Sequence, residues 1–448
     1  MSGSRDLGLI EFEPGDAGKT ARKGEGLVQL RVDQLEMGMF VAALDRPWLE
    51  TPFLVQGFFL RETRELQQLA VYCNHVWVDP RRNKRGGTSA RELAVAPGSD
   101  ARRRTRDIGE VVELQAPARQ GFGMNREPQW RPDRYQDTRS MRDEFNAVRR
   151  DLDGFVDEVT REFARVRNGE LPTLDNLIAV ADPIVASVLR NKDALAALIR
   201  IKKKDDYTYS HSISTAVWAS MLGRHLGLDR VLIRDLALGG LLLDVGKVML
   251  PRELLAKPEK LSLSETELVR SHVEESVKIA SAGGVSPQVL GIIAGHHERH
   301  DGSGYPSGFR GDDISLGARI AGLVDAYDAM ITARPYAQAR SSYEAMQELA
   351  KHSDAAFQGA LVEQLIQAIG LFPTGALVEL SHGPVAIVVA QNSSRRLRPK
   401  VVVVLDAQKQ PLPEPQSIDL QEASRKALHI KRELPPGAFG INAEDYYL

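Results

Sequence analysis

Apolar side chains recur at helical spacing in the stretch that begins at Met141. Seven of them follow one another at intervals of three or four positions, with charged residues between them: Phe145, Val148, Leu152, Phe155, Val159, Phe163 and Val166. This spacing predicts one amphipathic helix. Its apolar stripe is either the seam of a coiled coil, and so of a homodimer, or a face that packs on the following domain. The stripe is short for a coiled coil and contains Gly154.

Helical periodicity continues through residues 171–345. Seven segments carry it, namely 175–198, 209–226, 230–242, 264–282, 287–297, 314–331 and 343–352. The alternation of apolar and polar positions that marks half-buried strands does not occur in them. The pattern therefore predicts an all-helical domain.

Two other stretches contain the short β-branched and aromatic runs that are typical of strands. The first holds VQLRV, MFVAAL, FLVQGFFL and HVWVD with one helix at about 62–72, and it predicts a small β-rich N-terminal domain over 29–80. The second holds ALVEL, VAIVVA and KVVVVLD, and it predicts a short C-terminal β-hairpin unit over 371–410. The expected fold is therefore mainly α, with a small β unit on each side of the helical domain.

The remaining segments lack periodicity or precede the main domain. Residues 1–28 and 411–448 are predicted to be tails, and 138–200 is a helical segment before the main domain at 201–370. Residues 81–137 are rich in Arg, Lys, Pro, Gln and Gly, which predicts a disordered basic linker. A basic patch that meets an anionic partner is the alternative for this segment.

The composition limits the kinds of partner that the protein is expected to bind and the cellular compartment in which it is expected to lie. The chain has 448 residues with 58 basic and 60 acidic side chains and a net charge of −2, which argues against a dedicated nucleic-acid-binding protein. Its single cysteine, Cys73, excludes a disulfide framework and a thiolate zinc site. No apolar run approaches the ~18 residues of a membrane span, and the first residues do not resemble a signal peptide, so we expect a cytoplasmic protein.

Histidines are concentrated in the predicted helical domain. Six of the ten lie between positions 211 and 300, and they are His211, His225, His272, His296, His297 and His300. Any one of them alone would be an ordinary surface or core residue. Asp244 and Asp325 lie among apolar neighbours, where a carboxylate is costly unless it is paired or bound to a metal. A set of His and Asp without cysteine suits Mn, Fe or a catalytic Zn.

The segment around His297 has a superficial similarity to the HExxH motif of zinc proteases. The second histidine of HERH comes one position early, and the residue after His296 is another histidine rather than the glutamate base. Glycines follow directly and end the helix that the motif requires. A protease is therefore excluded.

The stretch HHERHDGSGYPSG is the most specific feature of the chain. Together with YTYSHS, LLLDVGK, SHVEES, LVDAYDAM and ARPY in the same order, it resembles the HD-GYP family, a branch of the HD-type metal-dependent phosphohydrolases. The resemblance covers about residues 200–370, and residues 29–80 resemble a domain that often precedes HD-GYP domains in bacteria. It implies a signal-transduction enzyme that hydrolyses the bacterial second messenger cyclic di-GMP to pGpG or GMP.

The resemblance also implies which residues hold metal. One or two divalent ions, commonly Fe or Mn, would be bound by helical His and Asp side chains. The first ion would take His211, Asp244 and Asp325. The second would take Asp244, His272, His296 and His297.

Substrate contacts follow from the same resemblance. Lys247 would meet one phosphate of the cyclic dinucleotide and Arg334 the other. Gly304, Tyr305 and Pro306 would shape the loop beside the substrate, where Tyr305 could stack on guanine. Two cations together with Lys247 and Arg334 would neutralise the charge that develops on the phosphoryl oxygens, and Asp244 and Lys247 are therefore the expected catalytic residues.

Two positions depart from the family pattern. The HD pair of the family is Leu243-Asp244 here, and leucine cannot coordinate a metal. The position that is Glu in three-metal members is Tyr207, so a third ion is not expected. The first ion is one ligand short, which should weaken its binding.

Three functional interpretations remain open. The first, slightly favoured because six of the seven ligand positions persist, is a working cyclic di-GMP phosphodiesterase. The second is a catalytically impaired domain that binds cyclic di-GMP, or a protein partner, without turnover. The weakest is a purely structural helical domain, since it gives no reason for His296, His297 and Asp325 to match a metal template.

Overall fold

The structure is a computed structural model that describes residues 27–45, 58–60, 63–79, 130–131, 134–201, 207–332, 339–392, 397–422 and 428–446. The chain divides into two compact units, Met1–Val111 and Val112–Leu448. Three of the sequence predictions lie outside the described residues: most of the N-terminal tail, nearly all of the basic linker, and Arg334.

The described residues of the N-terminal unit form a four-stranded antiparallel sheet with one α-helix. Its strands are β1 Val28–Arg31, β2 Phe40–Leu44, β3 Phe58–Phe59 and β4 His75–Val78, in the order β1-β4-β2-β3, and α1 is Thr63–Tyr72. Val41, Val76 and Val78 are buried with Leu60 and Leu69 in one core. The small β-rich domain predicted from the short apolar runs is confirmed.

The second unit includes the long helix α2, Met141–Arg167, followed by α3, Leu174–Arg190, and α4, Ala194–Ile201. Ser140 begins α2 by accepting a hydrogen bond from the backbone N–H of Asp143. All seven apolar residues of the stripe are buried, and α2 packs against α3 and α4. Gly154 lies on the exposed side, so the helix continues through it. The stripe is therefore covered within the chain, which is the packing alternative that the sequence left open.

Further helices complete the all-helical domain, which confirms the predicted fold class. They are α5 Tyr207–His225, α6 Arg230–Leu242, α7 Arg252–Leu255, α8 Leu263–Arg270, α9 His272–Ala282, α10 Pro287–Gly295, α11 Leu316–Ile331, α12 Ser342–Lys351 and α13 Gly359–Ile369. Helix α5 packs against α6 and α11, and α10 packs against α6, α9 and α11. None of the helices in the described part of the chain combines the length and the apolar character that crossing a membrane requires.

Two of the predicted helices are each divided in the structure. Between α3 and α4, the side chain of Asn191 accepts hydrogen bonds from the backbone N–H groups of Asp193 and Ala194, which starts a new helix. Between α8 and α9, the hydroxyl of Ser271 donates to the carbonyl of Leu268. Polar side chains that bond to nearby backbone compete with a continuous helix, and a hydrophobic pattern does not reveal this.

The C-terminal β unit is a five-stranded antiparallel sheet in the order β8-β7-β6-β5-β9. Its strands are β5 Leu377–Leu380, β6 Val385–Ala390, β7 Lys400–Leu405, β8 Pro411–Asp419 and β9 Ile430–Leu434. The predicted β unit is present, but the boundary at 410 and the tail after it are wrong. Strand β8 lies at an edge with mostly exposed side chains and three prolines, which edge strands tolerate, so it lacks the alternating pattern of a strand.

Candidate metal centre

Elements of the helical domain bring six His and Asp side chains into one cluster, in which all except the half-buried His297 are buried. They are His211 on α5, Asp244 just after α6, His272 at the start of α9, His296 and His297 just after α10, and Asp325 on α11. We name Asp244, His272, His296 and His297 the four-residue group, and His211, Asp244 and Asp325 the three-residue group. Within each group the ligand atoms all lie within 4.8 Å of one another. Asp244 belongs to both groups.

The turn after Asp244 brings its carboxylate against α9. Residues Val245–Met249 form a 3-10 turn in which the N–H of Gly246 donates to the hydroxyl of Ser276, 2.8 Å away. A side chain at Gly246 would collide with the carbonyl oxygen of His272. The glycine in LLLDVGK therefore permits the close contact between this turn and the helix that carries His272.

In the four-residue group, nitrogen and oxygen atoms that could bind a metal lie close together. His272 and His296 each donate from Nδ1 to a backbone carbonyl three residues earlier, those of Val269 at 2.6 Å and Ile293 at 2.7 Å. In a neutral imidazole, a hydrogen bond donated by Nδ1 leaves the lone pair on Nε2. Both Nε2 atoms and Oδ1 of Asp244 are buried and form no well-aligned hydrogen bond with the described residues, although Nε2 of His272 lies 3.3 Å from Oδ1 of Asp244. Buried polar atoms rarely remain so, and three imidazoles with one carboxylate suit a divalent cation.

Burial and neighbouring charges set the protonation of this group. Burial lowers the pKa of His296 to about 4, and burial together with the nearby His296 holds the pKa of His297 well below its usual range. Both rings are therefore neutral near pH 7, the form that binds metal. Burial alone would raise the pKa of Asp244, but Lys247, with Nζ 2.6 Å from Oδ2, and the histidines hold that pKa well below its usual range. Asp244 is therefore ionised.

The three-residue group is satisfied within the protein. Nε2 of His211 lies 2.9 Å from Oδ1 of Asp325, and Nδ1 lies 2.7 Å from Oδ2 of Asp328. Burial would lower the pKa of His211, but these two hydrogen bonds and charges raise it to about 10. His211 therefore carries a proton between two carboxylates. Leu243, which precedes Asp244 in the chain, is fully buried and offers no ligand atom.

Two residues that support this arrangement were not singled out from the sequence. Asp328 holds Nδ1 of His211, and the indole N–H of Trp218 donates to Oδ1 of Asp328 at 2.9 Å. Asp328 follows Asp325 by three positions in LVDAYDAM, and Trp218 follows His211 by seven, so each pair shares one face of a helix. That spacing is the signal that could have identified them. Such partners orient metal-binding histidines.

The loop that contains Gly304, Tyr305 and Pro306 lies beside the four-residue group. The ring of Tyr305 stacks on that of His297 with 4.6 Å between centroids, and the guanidinium of Arg270 lies 4.8 Å from the same ring. A side chain at Gly304 would collide with the backbone of 297–299. The carboxylate of the buried Glu298 accepts the backbone N–H groups of 307 and 309, at 2.7 and 3.1 Å, and so holds the loop closed.

The structure thus brings together nearly all the residues that the resemblance assigned to the site. The six metal-group residues, Lys247 and the loop 304–306 lie in one region. Arg334 and the side chain of Tyr207 lie outside the described residues. His225 belongs to neither group and lies 3.0 Å from Oε1 of Gln364 through its Nε2.

Comparison with protein families divides the chain into three matched segments. Residues 168–361 match the family model of the HD domain. Residues 27–177 match a domain of unknown function, DUF3391, and residues 377–438 match a KOW domain associated with the HD domain.

Two relatives of known name and one solved structure match the chain over different lengths. A cyclic di-GMP phosphodiesterase of Pseudomonas aeruginosa is 32% identical over 403 residues, which are 89% of this chain and 90% of that protein. A cyclic di-GMP phosphodiesterase of Borreliella burgdorferi is 29% identical over 204 residues, 46% of this chain and 54% of the relative. Among solved structures, an HDGYP protein of Bdellovibrio bacteriovorus matches with a TM-score of 0.42 and 17% identity, covering 76% of this chain and 98% of the other.

Proposed function

The chain belongs to the HD-GYP family of HD-domain proteins, and from that premise we propose that it hydrolyses a phosphodiester bond of cyclic di-GMP, giving pGpG or GMP. The names of the two phosphodiesterase relatives support this substrate. The observation that carries the proposal is the four-residue group, in which buried Nε2 and carboxylate atoms without hydrogen-bond partners face one another. One or two ions of Fe or Mn are the proposed cofactor, because these metals suit a mixed set of imidazole and carboxylate ligands.

The chain's own residues would hold and orient the reactants. A divalent cation in the pocket would activate water and neutralise phosphoryl charge. His272 and His296 are fixed by their backbone carbonyls, so their Nε2 atoms are oriented in advance. Lys247 is partly exposed beside Asp244, and its ammonium group would bind a phosphate oxygen. Arg334 would contact the other phosphate, and the loop 304–306 would border the nucleotide.

A second candidate function is supported by the three-residue group. Leu243 supplies no ligand, and His211 is engaged by Asp325 and Asp328. A protein with this defect could bind cyclic di-GMP, or a protein partner, at the four-residue group and its loop without turning the nucleotide over. We favour hydrolysis because the complete four-residue group and Lys247 are retained.

One experiment separates the two functions. The protein is purified anaerobically, its Fe, Mn and Zn contents are measured, and cyclic di-GMP is followed by chromatography. Formation of pGpG or GMP by the metal-loaded protein supports hydrolysis. Micromolar binding of cyclic di-GMP without product supports the impaired domain, and the absence of both binding and product contradicts hydrolysis and nucleotide binding alike. Asp244→Asn, which changes the shared ligand, should abolish turnover, so that a contaminating phosphodiesterase would be recognised.

A further inference from the structure

A buried series of hydrogen bonds joins the C-terminal sheet to the helix that carries Asp325. Glu433 on β9 accepts a hydrogen bond from Nη2 of Arg200 on α4 at 2.6 Å, and its other oxygen accepts the backbone N–H of Ser342 on α12 at 2.8 Å. The hydroxyl of Ser342 lies 2.6 Å from the hydroxyl of Tyr327 on α11. Ser342 and Tyr327 are buried, and the side chain of Glu433 is only 6% exposed.

In the sequence, Tyr327 lies between Asp325 and Asp328, the two residues whose carboxylates hold His211. On α11 it follows Asp325 by two positions and directly precedes Asp328. Its ring meets the ring of Trp218 edge to face, with 5.5 Å between centroids and an interplanar angle of 85°. Trp218 in turn donates to Asp328. The position of Tyr327 therefore depends on α11 and on Trp218, which also bonds to the carboxylate that orients His211.

We propose that Glu433 is a positioning residue for the three-residue group, so that the C-terminal β unit helps to set how tightly the pocket binds metal. Glu433 fixes the start of α12, Ser342 fixes the hydroxyl of Tyr327, and the rotation of α11 presents Asp325 and Asp328 to His211. Functional sites require their groups to be held within about 0.5 Å, so a small rotation is sufficient to matter. The proposal deepens the function proposed above and depends on it for the metal.

The β unit supplies a matched control for Glu433. Glu379 on the neighbouring strand β5 is also a buried carboxylate, and it forms ion pairs with Lys409 at 3.1 Å and Arg432 at 2.7 Å. Both partners belong to the C-terminal sheet or its turns. Glu379→Gln therefore disturbs ion pairs in the same sheet that involve neither Ser342 nor Tyr327, although one of them belongs to Arg432, the residue before Glu433.

Mn²⁺ titration of the full-length chain by calorimetry tests the proposal. Glu433→Gln is expected to weaken the binding of the second, weaker Mn²⁺ ion, the one at the three-residue group, by about 2- to 30-fold, the usual range for coupling through packed elements. The indole N–H resonance of Trp218, assigned with Trp218→Phe, should also shift in the ¹⁵N spectrum. Glu379→Gln should change neither quantity. Wild-type behaviour of Glu433→Gln, or an equal loss in Glu379→Gln, would overturn the proposal.

Tyr327→Phe gives an independent test if Glu433→Gln does not fold, because it removes one buried hydroxyl and keeps the ring. It should weaken Mn²⁺ binding in the same direction. The double variant should lose no more affinity than the worse single variant, since both changes interrupt one series of contacts, and additive losses would contradict this. If the wild type binds neither Mn²⁺ nor Fe²⁺, the proposed function fails, whereas the Trp218 resonance still decides whether Glu433 is coupled to the metal centre.

Discussion

The two groups in the candidate metal centre share Asp244 but differ in protonation and hydrogen bonding. In the four-residue group, His296 and His297 are neutral, and the Nε2 atoms of His272 and His296 have no hydrogen-bond partner within the described chain. In the three-residue group, both ring nitrogens of His211 are bonded to carboxylates and the ring is protonated. A cation can enter the first group directly, whereas in the second it must displace a proton and break an ion pair.

This difference indicates an order of binding. Metal affinity depends on the cost of deprotonating the ligands, and that cost is small for His296 and His297, whose rings are already neutral. Leu243 further removes the ligand that the family pattern places beside Asp244. We therefore expect the four-residue group to bind its ion before the three-residue group does, and the three-residue group to bind the other ion more weakly.

The largest effect should come from His296→Ala. The substitution removes one of four ligands, and we expect metal affinity to fall by more than about 100-fold, since even the loss of a supporting partner typically costs about 10- to 100-fold. Metal content after anaerobic purification and Mn²⁺ calorimetry measure it. His225→Ala is the control, because His225 lies in the same domain but contacts Gln364 outside both groups. An unchanged metal content in His296→Ala would refute the ligand assignment.

Leu243→His should have the next largest effect, because it restores the missing ligand beside Asp244. We expect a second ion to bind about 10- to 100-fold more tightly and hydrolysis of cyclic di-GMP to rise. Leu243→Phe is the matched control, since it introduces a ring without a ligand nitrogen. If Leu243→His binds only as much metal as the wild type, the contrast between the two groups has another cause, such as the ion pair of His211.

The sequence predicted the helical domain and the six metal-group residues because each lies in a short motif of fixed order. It did not predict the partners that orient them. His211 and Asp328 are 117 positions apart, and only the packing of α5 against α11 brings them together. The link from Glu433 to Ser342 spans 91 positions and depends on a strand within the predicted tail.

Local chemistry explains the errors in the fold. The bonds of Asn191 and Ser271 to nearby backbone ended helices that the apolar pattern continued. The strand β8 had no apolar alternation because most of its side chains are exposed at a sheet edge. The apolar pattern therefore predicts the elements that form cores, whereas turns and sheet edges depend on local hydrogen bonds and exposure that this pattern does not record.

The smallest expected effect is on the pH dependence of folding stability in metal-free protein, where one histidine of each group can be compared. In chelator-treated protein, His296 has a folded-state pKa of about 4 against an ordinary value of 6.5, because burial disfavours the charged ring. Between these values the unfolded chain binds a proton that the folded protein does not, so this residue makes stability fall as the pH is lowered. For His211 the folded-state pKa is about 10 because of Asp325 and Asp328, so its contribution is complete below pH 6.5 and is lost as the pH rises towards 10.

The two histidines should therefore change the dependence of stability on pH at opposite ends of the range, His296 on the acidic limb and His211 on the alkaline limb. Urea unfolding at a series of pH values gives the slope of the free energy of unfolding, to which one proton contributes at most about 1.4 kcal/mol per pH unit. Relative to the wild type, His296→Gln should flatten the limb from about pH 6.5 down to 4. His211→Gln should flatten the limb above about pH 6.5, even though it lowers stability overall by leaving Asp325 and Asp328 without a cation. If both variants altered the same limb, the two groups would not differ in protonation, and the inferred order of metal binding would lose its electrostatic basis.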